Sequence, residues 1–84
     1  MIFNIYAIRD VYSGFGAPFA ERDDRSAVRG FSSSINHDNG LMNFQPKDFS
    51  LFGIGKFDTE KGTIEAYDVP VMIVEALSLV NENA

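Results

Sequence analysis

Arginine is the residue type around which chemistry could gather in this chain. Arg22, Arg25 and Arg29 recur three and four positions apart, the spacing that sets side chains on one face of a helix. Arg9 lies upstream of them. Guanidinium groups stay charged and offer paired N–H donors to phosphate oxygens. Tyr12, Phe15 and Phe19 stand between Arg9 and Arg22, and such rings are what unpaired bases stack on. The seven residues together form a candidate single-stranded nucleic-acid site, with phosphate contacts from the arginines and stacking on the aromatics. The simpler alternative is a solvated helix face whose arginines pair with Asp23 and Asp24. Residue types alone leave both open.

Other chemistries find less support. Hydrolysis or group transfer needs an activated nucleophile or a paired acid and base. His37 next to Asp38 is the one histidine–carboxylate neighbour pair, and a cation at a helix C-terminus accounts for it without catalysis. Tyr6, Tyr12 and Tyr67 would serve as nicking nucleophiles only beside a metal held by several histidines, and the chain has a single His. They read as packing residues. Asp58, Glu60, Glu65 and Asp68 lack the alternating oxygen-ligand spacing of a calcium loop and read as a solvated turn. Gly14-Phe15-Gly16 lacks the third glycine and the Lys-Ser/Thr of phosphate-cradling loops, so it reads as a flexible loop presenting its aromatics. The absence of cysteine removes disulfides, thiolate zinc sites and thiol nucleophiles. The expectation is a non-enzymatic protein with no cofactor and no metal.

The elements that must hold these residues follow from length and patterning. Eighty-four residues with 45% hydrophobic and 13% aromatic content are too apolar for disorder and short enough for a single domain spanning 1–84. Residues 81–84 read as a frayed tail. Residues 2–9 are β-branched and aromatic and read as a strand with two apolar faces. Two glycines and a proline make residues 13–18 a loop. Asp23 and Asp24 open a helix over about residues 24–38, with Val28, Phe31 and Ile35 as its buried stripe and Asn39-Gly40 as its terminator. Residues 41–48 are expected as loop. Residues 49–57 and 63–67 form an antiparallel pair around a Gly62 turn. Gly53 and Gly55 share a face of that first run, bare enough for a backbone or a ring to approach. Asp68-Val69-Pro70 can start a last helix, and residues 71–80, apolar almost all round, then need cover on several sides. The predicted fold is α+β: a small three-stranded, mostly antiparallel sheet, one helix between the first two strands, and a C-terminal helix. The crossover helix leaves those first strands either parallel or separated within the sheet. A domain this small buries little of its surface, so the 71–80 segment is expected to pair two copies into a homodimer.

A net charge of −5 excludes a generally basic nucleic-acid coat and offers nothing to an anionic membrane. No apolar run approaches the length of a membrane span. The first residues lack a basic flank and a small-residue cleavage site, so a cytoplasmic protein is expected. Charge is uneven. Residues 1–40 hold 4 basic and 5 acidic groups, whereas 41–84 hold 3 and 7, which places any nucleic-acid contact in the N-terminal half.

Several runs also carry a resemblance. Tyr6-Ala7-Ile8-Arg9-Asp10, then Ala17-Pro18-Phe19-Ala20, Asp24, Ala27-Val28-Arg29 and Phe31, then Leu51-Phe52-Gly53-Ile54-Gly55-Lys56-Phe57-Asp58 and Gly62, taken in order, resemble the small non-structural protein of gokushovirus-type microviruses. These are phages with small circular single-stranded DNA genomes. The resemblance covers residues 2–68 and fades beyond Pro70. It implies a non-virion, DNA-associated protein acting in genome synthesis or packaging in the host cytoplasm, and it brings no catalytic residues. Arg9, Arg29 and Phe31 match its pattern; Arg22 and Arg25 belong to the electrostatic argument alone. Two expectations follow. One is binding of single-stranded DNA. The other is an adaptor that docks on replication, capsid or host proteins without touching DNA, favoured by the acidic charge and the bare Gly53/Gly55 face.

Overall fold

The computed structural model of the chain describes residues 1–37 and 45–80. β1 (Ile2–Asp10) runs into a tight hairpin with β2 (Gly14–Phe15), and β3 (Phe19–Glu21) returns along its first half. α1 (Asp24–His37) follows, then a 3₁₀ turn (Pro46–Asp48), β4 (Phe49–Asp58), β5 (Thr63–Glu75) and a second 3₁₀ turn (Ala76–Leu79). All pairings are antiparallel, in the order β2-β1-β4-β5, with β3 on the outer edge of β1 beside β2. The class is α+β as expected.

Four expectations are corrected. The sheet has five strands rather than three, because the 13–18 loop contains the two-residue β2 and β3 forms just after it. The first and second long strands, β1 and β4, are direct antiparallel neighbours, neither parallel nor separated. The strand expected at 63–67 continues to Glu75. And the C-terminal helix does not form: residues 71–75 complete β5, and only Ala76–Leu79 coil, as a 3₁₀ turn. Val69, Val71, Ile73 and Val74 are β-branched residues that lose rotamer freedom in a helix and fit a pleated surface, while β4 offers the ladder partners Ser50, Leu51, Phe52 and Gly53. Asn39-Gly40 and the tail at 81–84 lie outside the described residues.

The helix expectation holds at its core. Ala27, Phe31 and Ile35 are fully buried and Val28 half-buried. They meet Tyr6, Phe49 and Leu51 from the sheet and Ala76 from the second 3₁₀ turn, which closes the far side of the core. Asn36 Nδ2 donates to the Leu79 carbonyl at 3.0 Å and so straps that turn to the helix.

The two glycines of β4 account for the shape of the sheet. Ile5 pairs with Gly55 and Tyr6 with Gly53, so Ile54 is an extra residue on β4. Across the other side, Gly55 pairs with Ala66 and Gly53 with Val71, leaving residues 67–70 as a bulge on β5. Such bulges bend a strand and increase its twist. A Cβ at Gly55 would stand 2.5 Å from the Glu65 carbonyl oxygen, whereas one at Gly53 would meet nothing nearer than the Ile73 Cδ1 at 3.6 Å and the Tyr67 ring at 3.8 Å. The backbone and the ring that the bare face admits are therefore the chain's own, from β5. Gly55→Ala is expected to lower unfolding stability by about 1–3 kcal/mol, as overpacking against rigid backbone does. Gly53→Ala should be neutral or slightly stabilising, because it restricts the unfolded chain without a clash. Urea midpoints compare the two, and equal midpoints would refute the close approach at Gly55.

Candidate nucleic-acid interface

α1 begins where it does because Asp23 caps it. The Asp23 carboxylate accepts the Ser26 backbone N–H at 2.8 Å, and its carbonyl accepts that of Ala27 at 3.2 Å. The Ser26 amide bond, then the Ser26 hydroxyl, hold the Asp23 carboxyl below its usual range, with smaller help from the Arg25 and Arg22 charges. Asp24, one residue on, turns toward the sheet. Its Oδ1 accepts the Tyr6 hydroxyl at 2.6 Å, and the same hydroxyl accepts Asn4 Nδ2 at 3.2 Å. A fully buried tyrosine from the centre of β1 is thereby tied to the first turn of the helix.

This anchoring fixes where the arginines go. With Ala27, Phe31 and Ile35 inward, Arg25 and Arg29 share the exposed side of α1 with Ser33. Arg22 is exposed at the corner just before the cap. Among the described residues none of the arginines has a carboxylate within 4.0 Å; the only ion pair joins the N-terminal amine to Glu60 at 3.8 Å. The pairing with Asp23 and Asp24 is thus not made as contact ion pairs, although Asp23 still feels both Arg22 and Arg25.

Arg9 does not join this group. Tyr6 and Ile8 pack into the core beneath α1, so strand alternation sends Arg9 to the opposite face of the sheet. There it stands across from Phe15 and Ser50. Phe15 lies edge-on to Phe52, with ring centroids 5.3 Å apart, and keeps about half its surface open. Tyr12 is 84% exposed at the hairpin tip. Asp10 shapes that tip by accepting the Tyr12 N–H and the Ser13 hydroxyl, both at 3.0 Å. Phe19 packs against the core instead, its ring 5.9 Å from that of Tyr6. Six of the seven sequence-derived residues therefore form two sets on opposite faces, Arg22, Arg25 and Arg29 on the helix side and Arg9, Tyr12 and Phe15 at the hairpin, while Phe19 belongs to neither.

The other candidates find structural work or no partners. Asp58 accepts the Glu60 and Lys61 backbone N–H groups and so builds the β4–β5 turn. No group of three metal-ligating side chains occurs among the described residues. His37 ends α1, and Asp38 lies outside the described residues. The Tyr6–Asp24 link was not legible as such, although the one hydroxyl-bearing residue amid the apolar centre of the first strand was its signal.

Burial first, then the hydrogen bond to Asp24, push the Tyr6 phenol well above its ordinary pKa near 10. A raised pKa contributes stability that is complete below the unfolded value and lost as pH climbs toward the folded one. Stability should therefore fall steeply above about pH 10, and Tyr6→Phe should flatten that fall. At neutral pH the same variant should cost about 0.5–1.5 kcal/mol, the worth of a hydrogen bond. Denaturant melts of both proteins at neutral and alkaline pH read this, and parallel alkaline slopes would refute the assignment.

A family model described as Phage ORF5 protein matches residues 3–79 of the chain. No curated protein and no solved structure matches it.

Proposed function

We propose that this chain, which belongs to the Phage ORF5 protein family and is a phage protein, binds single-stranded DNA during genome synthesis or packaging. The reading extends to a gokushovirus-type microvirus working in its host's cytoplasm. One observation supports it above the rest: Arg22, just before α1, and Arg25 and Arg29 on it lie exposed with no carboxylate in contact among the described residues, on a body whose net charge is −5. Free guanidinium groups on a negative surface form a local anchor for phosphates, while the surrounding charge discourages indiscriminate coating of nucleic acid. The hairpin set of Arg9, Tyr12 and Phe15 supplies a second contact, stacking unpaired bases on the far face of the sheet. A strand that engages both sets wraps the edge of the sheet carrying β2 and β3. No acid–base pair or metal is needed for this role.

The β5 edge favours a second reading, a protein adaptor with no DNA contact. Among the described residues β5 pairs only with β4, and Val71 and Met72 are exposed on it. Free backbone beside apolar side chains invites another strand. In either reading the strand and turn at 71–80, in place of the expected helix, associate two copies. A pull-down from infected cells that survives nuclease treatment would favour the adaptor.

Fluorescence anisotropy with a labelled single-stranded oligonucleotide tests the first reading. Binding should weaken with salt, and Arg25→Ala with Arg29→Ala should reduce the log–log salt slope by roughly 1.4, two phosphate contacts' worth. Arg25→Glu with Arg29→Glu should abolish measurable binding at moderate salt. No binding at low salt, or binding indifferent to the charge reversal, would overturn it.

A further inference from the structure

Between the first turn of α1 and the β5 bulge lies a half-open cavity of about 210 Å³. Its existence follows from two features already described. Gly53 places no side chain in it, and the bulge at residues 67–70 carries Tyr67 away from the ladder so that its ring walls one side. Val71 and Ile73 complete an apolar wall. An engineered cavity of about 150 Å³ with apolar walls takes up a benzene ring, so this one has room for a single flat heterocycle.

The polar side of the cavity is rich in acceptors. Tyr6, Asn4 and Asp24 line it. The Tyr6 hydroxyl gives its proton to Asp24 Oδ1 and receives one from Asn4 Nδ2. Among the described residues, Asp24 Oδ2 and Asn4 Oδ1 take no hydrogen bond. A carboxylate oxygen and an amide oxygen beside an aromatic wall call for a flat ring bearing N–H donors. A lone ammonium or guanidinium group would leave the apolar wall unmatched. The surroundings favour the same class, since the exposed Arg22 and Arg25 flank Asp23 and Asp24 in the chain and would meet a phosphate attached to such a ring.

We propose that this cavity is a pocket for one unpaired nucleobase bearing an exocyclic amine (adenine, cytosine or guanine), held against Tyr67 with its amine donating to Asp24. The ring replaces water against Tyr67, Val71 and Ile73, while Asp24 keeps its bond to Tyr6 and uses its second oxygen for the base. Thymine has carbonyl oxygens where these bases carry the amine and can offer Asp24 only its single ring N–H, which brings a flanking carbonyl acceptor toward the carboxylate, and is disfavoured. The proposal rests on the single-stranded DNA reading for its natural ligand, but the pocket can be probed without any polymer.

The test is a titration of the full chain, followed by amide NMR, with dAMP, dCMP, dTMP and inorganic phosphate. dAMP or dCMP should shift the amides of Asp24, Gly53 and Tyr67 and bind about tenfold more tightly than dTMP, the worth of one hydrogen bond to a charged acceptor. Gly53→Val should fill the cavity and remove those shifts. Asp24→Asn, which keeps the shape, should narrow the difference between dCMP and dTMP. Shifts confined to Arg22, Arg25 and Arg29 and reproduced by inorganic phosphate would overturn the pocket, as would equal affinity for dTMP and dCMP or no shifts at all. Uptake of free arginine in place of nucleotides would overturn it in favour of a protein ligand. Oligonucleotide anisotropy separates the two ideas. Nucleotide binding in the pocket without oligonucleotide binding sinks the DNA reading and keeps the pocket; oligonucleotide binding with no pocket shifts and no response to Gly53→Val does the reverse.

Discussion

The Tyr6–Asp24 hydrogen bond ties the centre of the sheet to the start of the helix. A phenol at the centre of the sheet must place its proton on something, since burying an unsatisfied hydroxyl is costly, and the acceptor is the first residue of α1. That bond, with Asp23 capping beside it, sets both the start and the rotation of the helix. Rotation decides which residues face water, and so it is the reason Arg25 and Arg29 line an exposed side instead of lying against the sheet. A carboxylate spent on capping and another turned inward to a tyrosine are also two fewer partners for the neighbouring arginines. The free cations and the anchored helix are two results of one arrangement.

Local rules made part of this visible in the residues alone. The i, i+3, i+7 spacing of Val28, Phe31 and Ile35 fits a helix and not a strand, although Ala27 is buried more fully than Val28, and the Asp58–Gly62 turn joins two β-rich runs as a hairpin. The segment after Pro70 was harder. Residues 71–80, apolar except at Glu75 and Ser78, show no clear period, and periodicity is what distinguishes a helix from a strand. The decision there came from β4, whose edge was available for pairing along residues 50–53. β2 and β3 escaped notice for a related reason: strands of two and three residues have almost no pattern of their own and exist because β1 offers an edge.

The candidate site was legible by residue type and not by placement. The helical arginines share a face as their spacing requires. Arg9 could not be located relative to them without knowing which face of β1 the helix covers, and that depends on the register and bulge between β1 and β4. The same bulge explains Gly53 and Gly55. Their spacing announced a bare face, but not that β5 of the same chain would fill it at one glycine and bow away at the other.

The two borders of the sheet are unlike each other. On one side β1 is flanked by the fragments β2 and β3; on the other, β5 runs unbroken in sequence for 13 residues with no neighbour beyond it among the described residues. Strand-mediated growth of an aggregate needs two serviceable borders, one to accept a newcomer and one to present to the next. If two molecules join β5 to β5 about a twofold axis, each long border is consumed and only the fragmented ones remain outside. Geometry then caps the assembly at a closed pair, without any help from charge.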